Sequence, residues 1–410
     1  MVGHDPGRAV QRYPGFRYKI AEWEKQGLGP SNFVPFSGGG MMRSRLCILW
    51  VMIGVLGGLI GCPRPGSPPL GRPGTAGFRV LAPLAGEEPY FETLWELTDV
   101  GENAEAYFSW DDTRLVFQST RPPYACDQIF ILDLRTGRLQ RVSPGRGRTT
   151  CGYFLPGDAE VLFSSTHHVS PECPPRPDLR RGYAWALYDY DIYIAHPDGS
   201  GLRPLFQAPG YQAEATVARD GRIVFTSDHE GDLELYVMEA DHRTVRRVTH
   251  VPGYDGGAFF SPDGQWIVFR GHHPEEGPER DEYFSLLRDR LVRPFRMEIF
   301  VVRPDGTGLR QVTHNGGANF APYFTPNGRF VIYASNMHEP RGRDFDLYVS
   351  DLDGRGTVRV TYFRGFDGFP MFSHDCQFLV FASNRTERSP GQTNLFLGRL
   401  TAWARQQWCP

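Results

Sequence analysis

The sequence predicts an all-β chain folded as a six-bladed β-propeller, closed by an N-terminal strand that completes the last blade and carrying one short helix inserted in blade 4. Three observations lead there. A four-strand unit recurs at spacings typical of propeller blades, four of the units turn on a Ser/Thr-centred hairpin of one type, and a strand pattern missing from the last unit is found ahead of the first.

The repeats are phased by an aromatic residue in the second strand: Phe117, Phe163, Phe225, Phe269, Tyr333 and Phe381, in steps of 46, 62, 44, 64 and 48 residues. Units of about 45 residues hold four short strands and their turns. The clearest first turn is Phe260-Ser261-Pro262-Asp263-Gly264, where Pro presets φ, Asp closes an Asx-type turn and Gly takes a positive φ. Variants stand at residues 108–112, 324–328 and 372–376. Third strands follow in each unit, and fourth strands end in Val-Thr or its equivalent in the first five. The sixth lacks one. Leu94-Trp95-Glu96-Leu97-Thr98 matches Leu309-Arg310-Gln311-Val312-Thr313 and is expected to supply it, removing the sheet edge an open ring would expose.

Two steps are long because about twenty extra residues lie between strands two and three of units 2 and 4. On the face where those links lie, here the upper face, the long loops gather at residues 166–191 and 271–297, with shorter ones at 336–344 and 384–393. Long loops on one rim of a rigid scaffold are where binding concentrates. In the fourth unit Tyr283, Leu286, Leu287 and Leu291 fall at helical spacing, so a short amphipathic helix is expected over the rim.

Ahead of the repeats, residues 46–61 form an apolar run preceded by Arg43 and Arg45. As a helix the run rises about 24 Å, short of a ~30 Å hydrocarbon core, and reads as a leader peptide. It ends Leu59-Ile60-Gly61-Cys62, similar to a bacterial lipobox. The expected organisation is therefore an extension over 1–40 that precedes the true start at Met41 or Met42, a lipoprotein signal peptide over 41–61, a Pro/Gly-rich tether over 62–92 beginning with a lipid on Cys62, and the propeller over 93–410. The destination is the bacterial cell envelope, facing the periplasm or held at the outer membrane. The tether is expected to join at the lower end of the closing strand, so that the upper face points away from the anchoring membrane.

The FSPDG-type turns, the strands Asp191-Ile192-Tyr193 and Asp346-Leu347-Tyr348, and segments such as YDGGAFFSPDG (254–264) and GFPMFS (368–373) resemble the repeats of the TolB-like propeller family. The resemblance runs from about residue 94 to 400. It implies the fold and an envelope setting; no separate domain precedes the propeller here as in TolB, so the adaptor role in that system does not carry over directly.

Candidate site residues all fall on the upper face. Six residues before each turn Ser or its equivalent stand Asn103, Thr149, Gln212, Asp255, Asn319 and Asp367, which with Glu214 are expected to ring the channel mouth, either capping backbone groups or binding a ligand's polar groups. His167, His229, His272 and His338 follow second strands, with Arg121 and Arg385 in equivalent loops. Imidazole beside carboxylate suits Zn or Mn, yet no HExxH or similar spacing occurs, so no cofactor is expected, with a divalent metal as the alternative. Tyr183 and Trp185 in the second-unit loop suit peptide or carbohydrate surfaces. Cys376 and Cys409 belong to the lower face and form a candidate disulfide; Cys126, Cys151 and Cys173 near the upper face leave one thiol over.

The net charge of -3 gives no basic stripe, which excludes ordinary nucleic-acid binding. The expected function is a monomeric, lipid-anchored scaffold or adaptor that binds an envelope protein, peptide or glycan on the upper face. Two alternatives are a metal-assisted polysaccharide lyase, for which oligogalacturonate lyase is a related propeller precedent, and an accessory to a hydrolase encoded elsewhere. No GxSxG or other nucleophile motif is present.

Overall fold

The structure is a computed structural model that describes residues 76–410 apart from 179, 181, 389 and 390. The extension over 1–40, the signal peptide, Cys62 and the first part of the tether lie outside the described residues.

Alternating apolar residues and tight turns resolve into six antiparallel sheets, the blades. Blade 1 comprises Glu102–Phe108, Arg114–Thr120, Gln128–Asp133 and Leu139–Arg141; blade 2 comprises Thr149–Phe154, Val161–Ser165, Asp191–Ala195 and Arg203–Phe206. Blade 3 follows with Gln212–Val217, Ile223–Ser227, Glu234–Met238 and Val245–Arg247, and blade 4 with Tyr254–Phe260, Ile267–His272, Glu298–Val302 and Arg310–Gln311. Blade 5 comprises Asn319–Phe324, Phe330–Ser335, Asp346–Asp351 and Val358–Arg359. Blade 6 has five strands: Asp367–Phe372, Phe378–Ser383 and Asn394–Leu400, then Phe91–Glu96 and Arg79–Leu81 from the other end of the chain.

The hairpins follow from their turn chemistry. In blade 4 the Ser261 hydroxyl donates to Asp263 Oδ1 at 2.5 Å and accepts from Trp266 N at 2.9 Å, while Gly264 takes φ +66°. The phasing aromatics pack between blades: Phe117, Phe163, Phe225, Phe269 and Phe381 are 0% exposed and Tyr333 1%. Burial at that level is worth roughly 1.5–3 kcal/mol for each side chain.

Residues 79–92, expected to be tether, are part of the fold. Arg79–Leu81 pairs with the Phe91–Glu96 strand, Glu87 is fully buried, and Ala76 lies against Gly137 in a lower-face turn of blade 1. The reason is the apolar content of this stretch: Tyr90 stacks on Trp408 at 5.5 Å, and Phe91 on Phe381 at 6.0 Å.

Two helices complete the chain. Helix α1 (Pro278–Arg288) lies within the blade 4 insertion and buries Tyr283, Leu286 and Leu287. Helix α2 (Ala402–Trp408) starts at Thr401, whose hydroxyl accepts from Ala404 N at 3.1 Å, and is followed by the Cys376–Cys409 disulfide. A second disulfide, Cys126–Cys173, ties the blade 2 insertion to blade 1, and Cys151 is a buried thiol. The insertions of blades 2 and 4 pair with each other through Trp185–Ala186 and Leu291–Val292. Beneath them Leu187, Tyr190, Tyr211, Leu233, Tyr283 and Leu287 share one apolar cluster, so the two insertions form a single cap above blade 3. Among the described residues no helix is long and apolar enough to cross a membrane.

Candidate binding site on the upper face

The expected ring of polar residues at the channel mouth is instead buried between blades. Asn103, Thr149, Gln212, Asp255, Asn319 and Asp367 are all 0% exposed. Their backbone N–H groups bond to the preceding blade or its upper link: Asn103 to Thr393 O, Thr149 to Asp127 O, Gln212 to Tyr190 O, Asp255 to Leu233 O, Asn319 to Met297 O and Asp367 to Phe345 O. The side chains satisfy nearby groups as well; Asn103 Nδ2 reaches Thr393 O at 3.2 Å and Thr149 Oγ1 reaches Asp127 O at 3.1 Å. They hold the blades together and present nothing to a ligand in the lumen.

Four of the upper-face candidates, His167, His229, Arg121 and Arg385, share one structural position. Two residues beyond the Ser ending a second strand, His167 and His229 place Nδ1 at 2.8 and 2.7 Å from Ser165 and Ser227 Oγ. Arg121 and Arg385 donate Nε to Ser119 and Ser383 Oγ at 2.9 and 3.1 Å. Each then covers a ring of the third strand: His167 on Tyr193 at 4.4 Å, His229 on Tyr236 at 4.6 Å, Arg121 over Phe130 at 5.2 Å and Arg385 over Phe396 at 5.5 Å. A different blade holds each, so they do not converge on a ligand. His272 faces Glu279 of α1 at 3.7 Å. His338 lies 3.1 Å from Asp344 and 3.0 Å from the Tyr348 hydroxyl.

The residues that do face the lumen come from a bulge that interrupts every innermost strand. The pairing register shifts between Ala104 and Tyr107, and at the equivalent point in the other five blades. One residue per bulge adopts a left-handed conformation: Glu105, Cys151, Glu214, Gly257, Ala321 and Phe369, with φ between +49° and +60°. All six line the channel, together with Arg270. Only Glu214 belonged to the expected set.

The lumen is therefore polar on the side of blades 1 to 4 and apolar on the side of blades 5 and 6. Arg270 pairs with Glu214 and donates to the Tyr254 hydroxyl at 2.7 Å; Glu214 also accepts from Gly257 N at 2.9 Å. Burial, the largest single influence, would lower the Arg270 pKa, but Glu214, Tyr254, Tyr211 and Glu105 together raise it, and the guanidinium stays charged. Glu105 is pushed up to about 7, chiefly by burial, and Glu214 adds to the rise. Burial and then Glu105 raise the Cys151 thiol well above its ordinary value, which keeps it protonated and unsuited to act as a nucleophile.

Above the apolar side opens a cleft of about 550 Å³. One wall comes from the insertions, with Tyr183, Trp185 and Phe295; the other comes from Phe320, Phe345 and Phe366, and Phe369 connects it to the lumen. Tyr183 is 63% exposed and Phe295 53%, so both present their rings at the rim of the cleft. Asn336 and Arg343 add polar groups along the edge. Mostly apolar walls with a few placed polar groups are the general make-up of a ligand-binding cleft.

No family model and no curated protein matches this sequence. In fold the chain is similar to a putative TolB from Agrobacterium tumefaciens (19% identity over 73% of this chain and 91% of that one, TM-score 0.48). It is also similar to a gluconolactonase from Xanthomonas campestris (16% identity, 79% and 95% covered, TM-score 0.50) and to an oligogalacturonate lyase in complex with manganese (15% identity, 80% and 97% covered, TM-score 0.45). What they have in common with this chain is the β-propeller fold. Different activities on one fold leave function to be argued from the site.

Proposed function

We propose that this chain is a lipid-anchored propeller of the bacterial cell envelope that binds a protein, peptide or glycan in its upper-face cleft and acts as a scaffold or adaptor. The observation that carries the reading is the aromatic cleft itself, with Tyr183 and Phe295 presented to solvent. In this reading the ring is closed by Phe91–Glu96, which keeps the two walls at fixed separation, and α1 supports the cap from behind. The anchor at Cys62 is the part of the proposal drawn from the sequence alone. The lyase alternative loses support because two of its histidines, His167 and His229, are spent on stacking in separate blades.

Peptide and glycan arrays probed with the full chain and with Trp185→Ala and Phe295→Ala test the proposal. Binding on either array that falls at least about tenfold in both variants, equivalent to ~1.4 kcal/mol, supports it. Absence of binding on both arrays, or equal binding by the variants, contradicts it.

A further inference from the structure

Between neighbouring blades, the first residue of a third strand faces the first polar residue of the next innermost strand. Asn103 Nδ2 donates to Asn394 Oδ1 at 3.2 Å in this way, and Asn319 Nδ2 donates to Glu298 Oε2 at 2.9 Å. Between blades 5 and 6 the same positions hold two carboxylates, Asp346 and Asp367, both 0% exposed. Thr361 Oγ1 lies 3.5 Å from Asp346 Oδ1, and Arg385 donates to Asp367 Oδ2 at 2.9 Å. Asp367 Oδ1 has no hydrogen-bond partner among the described residues, and a buried carboxylate oxygen left in that state is costly.

Beside this pair sits His338. Its Nε2 lies 3.1 Å from Asp344 Oδ2 and 3.6 Å from Asp346 Oδ2, and the three donor atoms fall within 4.8 Å of one another. The surroundings hold two of the donor residues in place: His338 Nδ1 is 3.0 Å from the Tyr348 hydroxyl, and Asp344 Oδ1 accepts from Gly365 N at 2.8 Å. Charge gives a second argument. Among the described residues, four carboxyl groups, Asp344, Asp346, Asp367 and Glu87, gather here around two guanidiniums, Arg359 on Asp346 Oδ2 and Arg385 on Asp367 and Glu87.

We propose that His338, Asp344 and Asp346 form a divalent-metal site, with Asp367 contributing to its charge. One imidazole and two carboxylates suit Zn²⁺ or Mn²⁺; Ca²⁺ takes six to eight oxygens and is disfavoured here. The site lies at the base of the 336–344 loop, whose residues Asn336, Pro340, Gly342 and Arg343 form part of the cleft wall, so a bound ion pins that wall. The inference does not depend on what the cleft binds.

The test is calorimetric titration of chelator-treated full chain with ZnCl₂ and MnCl₂, together with His338→Ala and Asp344→Asn. One equivalent of either ion, with affinity reduced at least about tenfold in both variants, is expected. A measurement on the unsubstituted chain guards against variants that fold poorly. Carbethoxylation of His338 by diethylpyrocarbonate, read by mass spectrometry, should be suppressed by the bound ion, while the exposed His250 and His314 stay reactive. No uptake of either ion, undiminished affinity in His338→Ala, or equal modification of His338 with and without metal would overturn the proposal.

Discussion

The guanidinium of Arg270, on the second strand of blade 4, lies 5.1 Å from the ring of Trp185 in the blade 2 insertion. A cation held against an indole face away from bulk water gains on the order of 1–2 kcal/mol. The contact joins the cap to the lumen, because the same guanidinium also neutralises Glu214. Trp185→Ala should therefore destabilise the fold by about 1–3 kcal/mol and admit solvent to the lumen. Thermal denaturation together with hydrogen exchange at Glu214 and Gly257 would show both effects; unchanged protection at those amides would count against a roofing role.

His229 tests the stacking position. If it serves as a brace between Ser227 and Tyr236, His229→Ala costs about 1 kcal/mol of stability and leaves ligand and metal binding unaltered. Urea denaturation of the variant measures the first quantity. A loss of binding without loss of stability would return the histidine to a functional role.

The pH dependence follows from Glu105. Its carboxyl is raised from 4.5 to about 7 in the folded chain, so the folded state holds a proton there that the unfolded state releases. The associated stabilisation is fully present below about pH 4.5 and is lost as pH rises through 7. Its size is on the order of 1–3 kcal/mol. Denaturation midpoints between pH 5 and 8 should fall more steeply for the unsubstituted chain than for Glu105→Gln. Identical slopes would mean that Glu105 is ionised in the folded state throughout that range.

Orientation on the membrane is open to a labelling experiment. In the proposed arrangement, a lipid on Cys62 and Ala76 beside a lower-face turn of blade 1 would point the upper face away from the anchoring bilayer. Surface-reactive labelling of membrane-bound protein should modify His250 on blade 3 and Tyr183 on the cap more than residues near Ala76. Preferential labelling around Ala76 would reverse the assignment.

The blades were legible because their chemistry repeats: each needs a buried aromatic at the same place and a turn that only a few residues make. Phe269 and the turn at Ser261 mark a blade without any knowledge of its neighbours. The lumen was not legible in the same way, because the bulge at Glu105 and its equivalents breaks the in-and-out alternation by which strand faces are assigned. Counting along the strands selected Asn103 and its counterparts, two residues too early. Gly257, a glycine inside a strand, was the local clue to that bulge. The histidines drew attention as a group, whereas the equivalence of Arg121 and Arg385 already pointed to a position fixed by blade geometry. Residues 79–92 read as tether from their proline and glycine, yet Tyr90 and Phe91 carry enough apolar surface to dock on blade 6.

Photocrosslinking in intact cells tests the binding claim most directly. A photoreactive phenylalanine analogue is placed at Phe295 or Tyr183 in the cleft and, for comparison, at Trp403 on the opposite side, which is 49% exposed. Discrete adducts at both cleft positions and none at Trp403 are the predicted result. Adducts confined to Trp403, or none at either cleft position, would contradict the account.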